Sequence, residues 1–413
     1  MDAKVADRSP ILRSVQRPKN AKYIFKSRWK RLGARVFDAL GHVVFVGRSH
    51  KPWDLSEVRN ILVIRMDQLG DVVFAAPVLE YLHEVLPGAS IDFLTGPWAA
   101  PLVKTFPYVH DTLVFDANWY SPDGNLADRV ANTRKVIRIL RGNRYDLGID
   151  LRGDLRNIAL MRAGRITHTI GYGITGGKFL LDRSVPYDFS AHQVDLNLRL
   201  IAEVAGGVRG EECVAPTKEQ RKPRLFCPDG VKEAVFDHAW LSNSRPRILL
   251  HAEAGYPSKR WSKKRFVQLI ASLCERGANI GLIGLEQDDM CDAPQLIKHS
   301  DRIVDLRGKT NLLELCALIS ESDLLIGNDS APAHLAASLG TSCVVLFSGA
   351  NDPSKWRPLG EHVHLVFHPV RCSPCESLTC LMSTHECMDA ISVYEVEGVV
   401  HEILSAKGLL PRA

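Results

Sequence analysis

The sequence lacks any run approaching the roughly 18 consecutive apolar residues that a membrane-spanning helix needs. The first 20 residues carry five basic side chains and no apolar stretch, so a secretory signal is not expected. No period of about 20–50 residues repeats. No Asp-x-Asp pair stands in a loop where it could hold a metal-bound diphosphate; Asp288 and Asp289 are adjacent and would point apart on a strand. No Gly-x-Gly-x-x-Gly follows any of the strands read below, which argues against a dinucleotide-dependent oxidoreductase. Excess charge is small as well, with 52 basic and 47 acidic residues.

Hydrophobic residues make up 46% of the chain and charged residues 24%. That is the balance of a globular protein, not of a disordered or collagen-like one. A length of 413 residues is too great for one ordinary core and suits two domains of about 150–200 residues. The net charge of +5 conceals an asymmetry. Residues 1–50 hold 12 Lys/Arg against Asp2, Asp7 and Asp38, a balance of +9. The remainder holds 40 basic and 44 acidic side chains, a balance of −4. The body is mildly acidic, and a basic arm carries the excess.

Residues 1–20 mix Pro, Arg, Lys and Ser and read as disordered. From about residue 21 to 46, Phe25, Trp29, Leu32, Val36, Leu40 and Val43 recur at helical spacing and form one narrow apolar stripe. Lys26, Lys30, Arg31 and Arg35 fall beside or opposite it, while Gly33 and Gly41 weaken the helix. Two readings compete. The helix lies on an anionic bilayer surface with its apolar face down, or it packs on the body with its basic face solvated. The one-sided charge and the tryptophan in the stripe favour the bilayer.

Beyond residue 50, β-branched runs alternate with helical periods. Strands are expected at 60–66, 90–95, 145–152, 247–251, 279–284, 323–327 and 342–347. Helices are expected at 72–86, from 155, and at 264–276, 312–320, 331–339 and 393–404. A polar stretch at 215–228 reads as a linker. Strand–helix alternation means parallel sheets with right-handed crossovers. The expected class is α/β: two doubly wound, Rossmann-like domains at 51–225 and 226–413 behind an arm at 1–50. Ligands in such sheets bind outside the carboxyl ends of the strands. Two facing crevices would form a cleft where two substrates meet.

Three strand exits carry chemistry. Asp67-Gln-Leu-Gly70-Asp71 follows the first strand. Gly70 permits a tight turn, and Asp71 reads either as a helix N-cap or as a general base. His251-Ala-Glu-Ala-Gly-Tyr-Pro-Ser-Lys259-Arg260-Trp261 puts two cations before a helix, either for phosphate or as a solvated loop. Gly327-Asn-Asp329-Ser330-Ala331-Pro-Ala-His334 opens another helix. Ser330 can cap it, and backbone N–H groups from 330 onward could hold a diphosphate.

Together these loops resemble glycosyltransferase family 9, the heptosyltransferase family of lipopolysaccharide core assembly. The matching stretches are Ile61 to Val72, Asp150-Leu-Arg-Gly-Asp-Leu-Arg156, Gly171-Tyr172, Pro257-Ser-Lys-Arg-Trp261, and Gly327 to Ala337 with Gly340 beyond. The resemblance runs from about residue 60 to 405 and implies the GT-B fold. It implies inverting, metal-independent transfer, with the acceptor held mainly by the first domain and the nucleotide sugar by the second. On that resemblance Asp71 is the catalytic base, Lys259 contacts the donor phosphate and Asp329 contacts sugar hydroxyls, while Arg260 stands beside Lys259 as the loop's second cation toward the donor. Ser330 and Ala331 supply backbone near the diphosphate; many members have Gly at the latter position. His334 matches the family histidine of that helix, and Glu286 matches an acidic donor-site residue. Arg152, Asp154 and Arg156 fall on the acceptor side. The implied donor is ADP-heptose. The implied acceptor is a lipopolysaccharide-core or other lipid-linked glycan, met at the inner face of the cytoplasmic membrane.

Such a displacement leaves charge on the departing diphosphate, and cations with amide donors can meet it without magnesium. No cofactor is therefore expected in catalysis. Four of the ten cysteines, Cys372, Cys375, Cys380 and Cys387, lie within 16 residues. They could hold a structural zinc or an iron–sulfur cluster, or remain free thiols or two disulfides. A nucleic-acid-binding protein using the basic arm and this four-cysteine segment is the alternative reading. The acidic body and the lack of interleaved aromatic and basic residues count against a nucleic-acid partner.

Overall fold

The computed structural model describes residues 23–25, 27–44, 54–116, 125–209, 217, 219–236, 245–285 and 289–410. By contacts the chain divides between Pro223 and Arg224. Each unit has its own parallel sheet. The first holds β1 (Asn60–Ile64), β2 (Ser90–Thr95), β3 (Val109–Val114), β4 (Leu147–Asp150), β5 (His168–Gly171) and β6 (Arg183–Ser184), in the order β3-β2-β1-β4-β5-β6. The second holds β7 (Arg247–His251), β8 (Asn279–Ile283), β9 (Ile303–Asp305), β10 (Leu324–Asn328), β11 (Cys343–Phe347) and β12 (Val363–Phe367), in the order β12-β11-β10-β7-β8-β9. Counted from its own first strand, the second sheet repeats the order of the first. Both are doubly wound α/β sheets of the dinucleotide-fold type.

The central strands are apolar runs because helices cover both faces. Ile61, Leu62, Val63 and Ile64 have no exposed surface, nor have Leu324, Leu325 and Ile326. Strands that sequence periodicity passes over are edge or short ones. β3 carries His110, Asp111 and Thr112 and is half exposed, and β12 alternates weakly around His364.

The helix expected over 72–86 begins earlier and is broken. It starts at Leu69, ends at Val73, and resumes over Ala76–Val85. Pro77 explains the break, since it has no N–H and its ring would clash with the carbonyl four residues back, that of Val73. One glycine string also escaped the reading by strands. β5 ends in Gly171-Tyr-Gly173-Ile-Thr-Gly176, which has Gly-x-Gly-x-x-Gly spacing. It leads into a short 3-10 turn at Lys178–Leu180 and lies after the fifth strand, not the first. It therefore lacks the strand–helix context of a dinucleotide fingerprint.

The helix Arg28–Val44 belongs to the first unit, and its buried residues are Ala34, Asp38 and Gly41. Asp38 accepts from the Gly177 N–H at 2.6 Å and from the Tyr23 hydroxyl at 2.7 Å. Burial, reinforced by the Asp38 carboxylate, pushes the Tyr23 phenol up to about 12. Gly41 lies so close to Phe179 that a Cβ there would fall 2.1 Å from the ring. The apolar stripe points the other way, with Trp29 81% and Val43 71% exposed. Among the described residues no helix is long and apolar enough to cross a membrane.

Candidate active site

In each sheet the strand order reverses beside its first strand, between β1 and β4 and between β7 and β10. The carboxyl ends there splay apart and leave room for ligands. The sequence-predicted residues cluster at these two places, one in each unit.

At the first, Arg65 leaves β1 with only 2% of its surface exposed. Its Nη1 donates to the Leu151 carbonyl at 2.8 Å, and its Nη2 meets Asp71 Oδ1 at 3.0 Å and Asp67 Oδ2 at 3.1 Å. Asp67 also pairs with Arg152. Arg152 lies 3.6 Å from Asp154, and Arg156 grips Asp154 through two bonds at 2.9 and 2.7 Å. A chain of alternating charge thus runs Asp71–Arg65–Asp67–Arg152–Asp154–Arg156. Its inner end is buried, and its outer arginines reach solvent. Asp71 does not cap its helix. The N-cap is Gln68, Asp71 is the third helical residue, and its carboxylate turns to Arg65. Burial pushes the Asp71 carboxyl above its usual range; Arg65 opposes that shift and Asp67 adds to it. Capping belongs instead to Asp154, which accepts from the Arg156 amide at 2.9 Å at the start of Leu155–Ala163. Asp150, with no exposed surface, accepts from Asn157 Nδ2 and from the Asp154 amide, both at 2.9 Å. Burial pushes it up to about 7.

At the second place, Asp329 is 3% exposed and pairs with Lys259 Nζ at 2.8 Å. Asn351 donates to the same carboxylate at 2.7 Å, and His334 Nε2 stands 3.9 Å away. The loop carrying Lys259 is tied down by Asn328. That side chain accepts from the Trp261 amide at 3.0 Å and donates to the Ala252 carbonyl at 2.8 Å. Ser330 occupies the N-cap position of Ala331–Leu339, but its hydroxyl makes no cap bond. It lies instead 3.0 Å from His251 Nδ1 and donates to the Asn328 carbonyl. Burial, with Arg260 nearby, holds the His251 imidazole down at about 4, so it is neutral near pH 7. Ala331 is the first helical residue, and Pro332 behind it has no N–H to offer. Arg260 donates through Nε to the Ala254 carbonyl at 3.1 Å. A cavity of about 260 Å³ opens beside it, lined by Leu250, Ala252, Trp261, Leu282, Ile283 and Met290 with Glu253, Arg260, Lys263 and Arg307. Glu286 lies outside the described residues.

Residues 133–385 match the profile of Glycosyltransferase family 9 (heptosyltransferase). The chain belongs to glycosyltransferase family 9. It is similar to lipopolysaccharide heptosyltransferase 3 of Escherichia coli, 27% identical over 297 residues, covering 70% of this chain and 83% of that one. The solved ADP-heptose lipopolysaccharide heptosyltransferase II of E. coli has the same fold, with a TM-score of 0.67 at 21% identity over 84% of this chain and 99% of that one. The iron-containing dodecameric glycosyltransferase TibC of E. coli aligns more loosely, with a TM-score of 0.50 at 15% identity over 86% of this chain and 78% of that one. This family 9 chain is therefore a glycosyltransferase of GT-B fold.

The four-cysteine loop of this glycosyltransferase packs on the second site. Cys375 N–H donates to the Gly349 carbonyl at 3.0 Å and Glu376 N–H to Ala350 at 2.9 Å, next to Asn351. Ser258, next to Lys259, donates from its hydroxyl to Ser377 at 2.5 Å and from its amide to Leu378 at 3.1 Å. His385 Nε2 lies 3.0 Å from the Ser258 carbonyl. The loop thus braces both arms that hold Asp329. Cys372, Cys375, Cys380 and Cys387 are free thiols, with Cys380 exposed and Cys387 buried. Among the described residues no group of three or more His, Cys, Asp or Glu is arranged to hold a metal ion.

Several partners escaped sequence reasoning. Arg65 reads as the tail of a strand, and Asn351 lies 22 residues beyond Asp329 in a different loop. Only a polar residue closing an apolar run marked Arg65 out.

Proposed function

We propose that this chain transfers heptose from ADP-heptose to a lipopolysaccharide-core acceptor, with inversion and without a catalytic metal. The observation that carries the reading is the pairing of a buried, proton-seeking carboxylate with a cationic anion site on the same strand-exit pattern. Asp71 is the base. Arg65 occupies its Oδ1, which leaves Oδ2 to take the acceptor hydroxyl proton. Its raised proton affinity suits it to that transfer.

On the donor side Lys259 has three N–H bonds to give, and Asp329 takes one. The others, with the Arg260 fork and the Ala331 amide, meet the diphosphate as its charge develops. Asp329, held in place by Lys259 and Asn351, is left to face sugar hydroxyls. His251, neutral and bonded to Ser330, adds no charge against Lys259, and His334 stands beside Asp329. The apolar walls at Leu250, Leu282 and Met290 suit the flat base of a nucleoside. Arg152 and Arg156, at the open end of the charge chain, suit an acidic acceptor sugar. The names of the relatives and of the solved neighbour support the donor and acceptor classes.

Zinc or an iron–sulfur cluster at Cys372, Cys375, Cys380 and Cys387 belongs to this reading as a structural element only. The close spacing of the four cysteines in the sequence and the iron-containing neighbour support it, and elemental analysis of the purified protein tests it. Nucleic acid has no place in the reading, and the site of action is the inner face of the cytoplasmic membrane. The deciding experiment is a panel of ADP-, GDP- and UDP-sugars scored for nucleoside diphosphate release with a lipopolysaccharide-core fragment, with Asp71→Asn as control. Turnover of UDP- or GDP-sugars but not of ADP-heptose would overturn the donor assignment.

A further inference from the structure

We propose that the outward face of the helix Arg28–Val44 is a docking surface for an anionic lipid bilayer. The helix is amphipathic but mounted in reverse. A surface helix normally turns its apolar stripe to the core and its polar side to water. Here Asp38 is the residue turned inward, held by the Gly177 amide and the Tyr23 hydroxyl. At about 100° per residue, Trp29, Leu32, Val36, Leu40 and Val43 centre roughly opposite Ala34, Asp38 and Gly41. All five are exposed, Leu40 by 62%. The inward contacts are made by Ala34, Asp38 and Gly41, with Phe37 and His42 against the Phe179 ring, so the five residues of the stripe are not what fastens the helix.

Charge identifies the occupant. Arg28 and Arg35 are exposed and lie along one border of the stripe, where their stems can follow the apolar surface and their heads reach lipid phosphates. Residues 1–50 carry +9 while the rest carries −4. A second copy of the chain would bring +9 against +9, whereas an anionic surface is attracted by it.

The position fits the work. Ile24 N–H donates to the Ile174 carbonyl at 2.9 Å, and the same 174–177 loop receives Asp38. Thr175 in turn bonds Gly153 and Leu155, which flank Asp154 in the charge chain. The docking face and the acceptor-side loop are therefore built on one support.

The test uses the full chain and needs neither donor nor acceptor, so its failure is separable from failure of the sugar-transfer reading. Sedimentation with vesicles of phosphatidylcholine containing phosphatidylglycerol should carry the protein down, and vesicles of phosphatidylcholine alone should carry far less. Val36→Gln with Leu40→Gln should weaken binding at least tenfold, from lost apolar burial. Arg28→Gln and Arg35→Gln should each weaken it about fivefold, and only on the anionic vesicles. Leu126→Gln, at a 74% exposed position elsewhere, should change nothing. Thermal melts should match the parent, since the altered side chains lie on the outward face. Binding that survives the Val36/Leu40 change overturns the proposal. So does a light-scattering result in which that change turns a dimer into a monomer and vesicle binding is untouched.

Discussion

Replacing Asp71 by Asn tests the proposed chemistry most directly. The substitution is isosteric, and the side-chain carbonyl can still accept from Arg65 Nη2 at the present 3.0 Å. Arg65 also keeps Asp67 and the Leu151 carbonyl, so the guanidinium is not orphaned. The charge-assisted part of one hydrogen bond is lost, on the order of 1 kcal/mol. Against that loss, a buried charge 14% exposed is removed, and its raised proton affinity shows that the burial is unfavourable. Net stability should therefore change by no more than about 1 kcal/mol, or roughly 2–4 °C in melting temperature for a unit of this size. The chemical step should fall by a factor of about 100 or more, equivalent to about 2.7 kcal/mol of barrier. Donor affinity by calorimetry should be unchanged, because Asp71 lies in the first unit and the proposed donor site in the second. In the parent, kcat/KM should fall as pH falls through a value above the ordinary carboxylate range, since the base works only when ionised. That acid limb should vanish in the variant. A variant retaining a third or more of parental turnover, or losing donor affinity in step with rate, would refute the assignment.

Lys259→Ala should weaken donor binding at least tenfold and lower stability by about 3–5 kcal/mol, because Asp329 would be left buried without its cation; calorimetry and denaturant unfolding read both. Gly327→Ala should cost about 1–3 kcal/mol, since its Cβ would stand 2.8 Å from the His251 carbonyl, whereas Gly142→Ala, with open space around it, should be neutral or slightly stabilising. Asp150→Asn should flatten the pH dependence of stability. With its folded value raised to about 7, Asp150 binds a proton in the native state that the unfolded chain has released. The parent should then lose stability as pH rises from about 4 to 7, and the variant should lose less, as denaturant midpoints at pH 5 and pH 8 would show.

The sequence made the central strands legible because both faces of β1 and β10 are buried and their runs are almost wholly apolar. β3 and β12 were hidden because an edge strand needs no such run. The placement of Lys259 and Asp329 followed from strand exits, but their direct pairing did not, since it joins two loops 70 residues apart in sequence. Ser330 shows the limit of local reasoning. A serine before a helix reads as a cap, yet His251 from the adjacent strand competes for its hydroxyl and wins. Asp71 failed as a cap for a different reason, since its helix opens at Leu69 and leaves it third inside the first turn, where its carboxylate turns to Arg65. Periodicity showed the stripe of the Arg28–Val44 helix but could not show which way it faced. Asp38 decides that, through an amide 139 residues away.

That clamp has a further consequence. Amphipathic segments that gain structure only on contact give up part of their binding energy to ordering. The Arg28–Val44 helix is already complete, because its inner side is fastened to the Gly177 loop before any partner arrives. Its encounter with a surface is then a rigid-body event. Circular dichroism should show no gain in helicity on adding vesicles, and the unit should settle with one fixed tilt and not swivel on a tether.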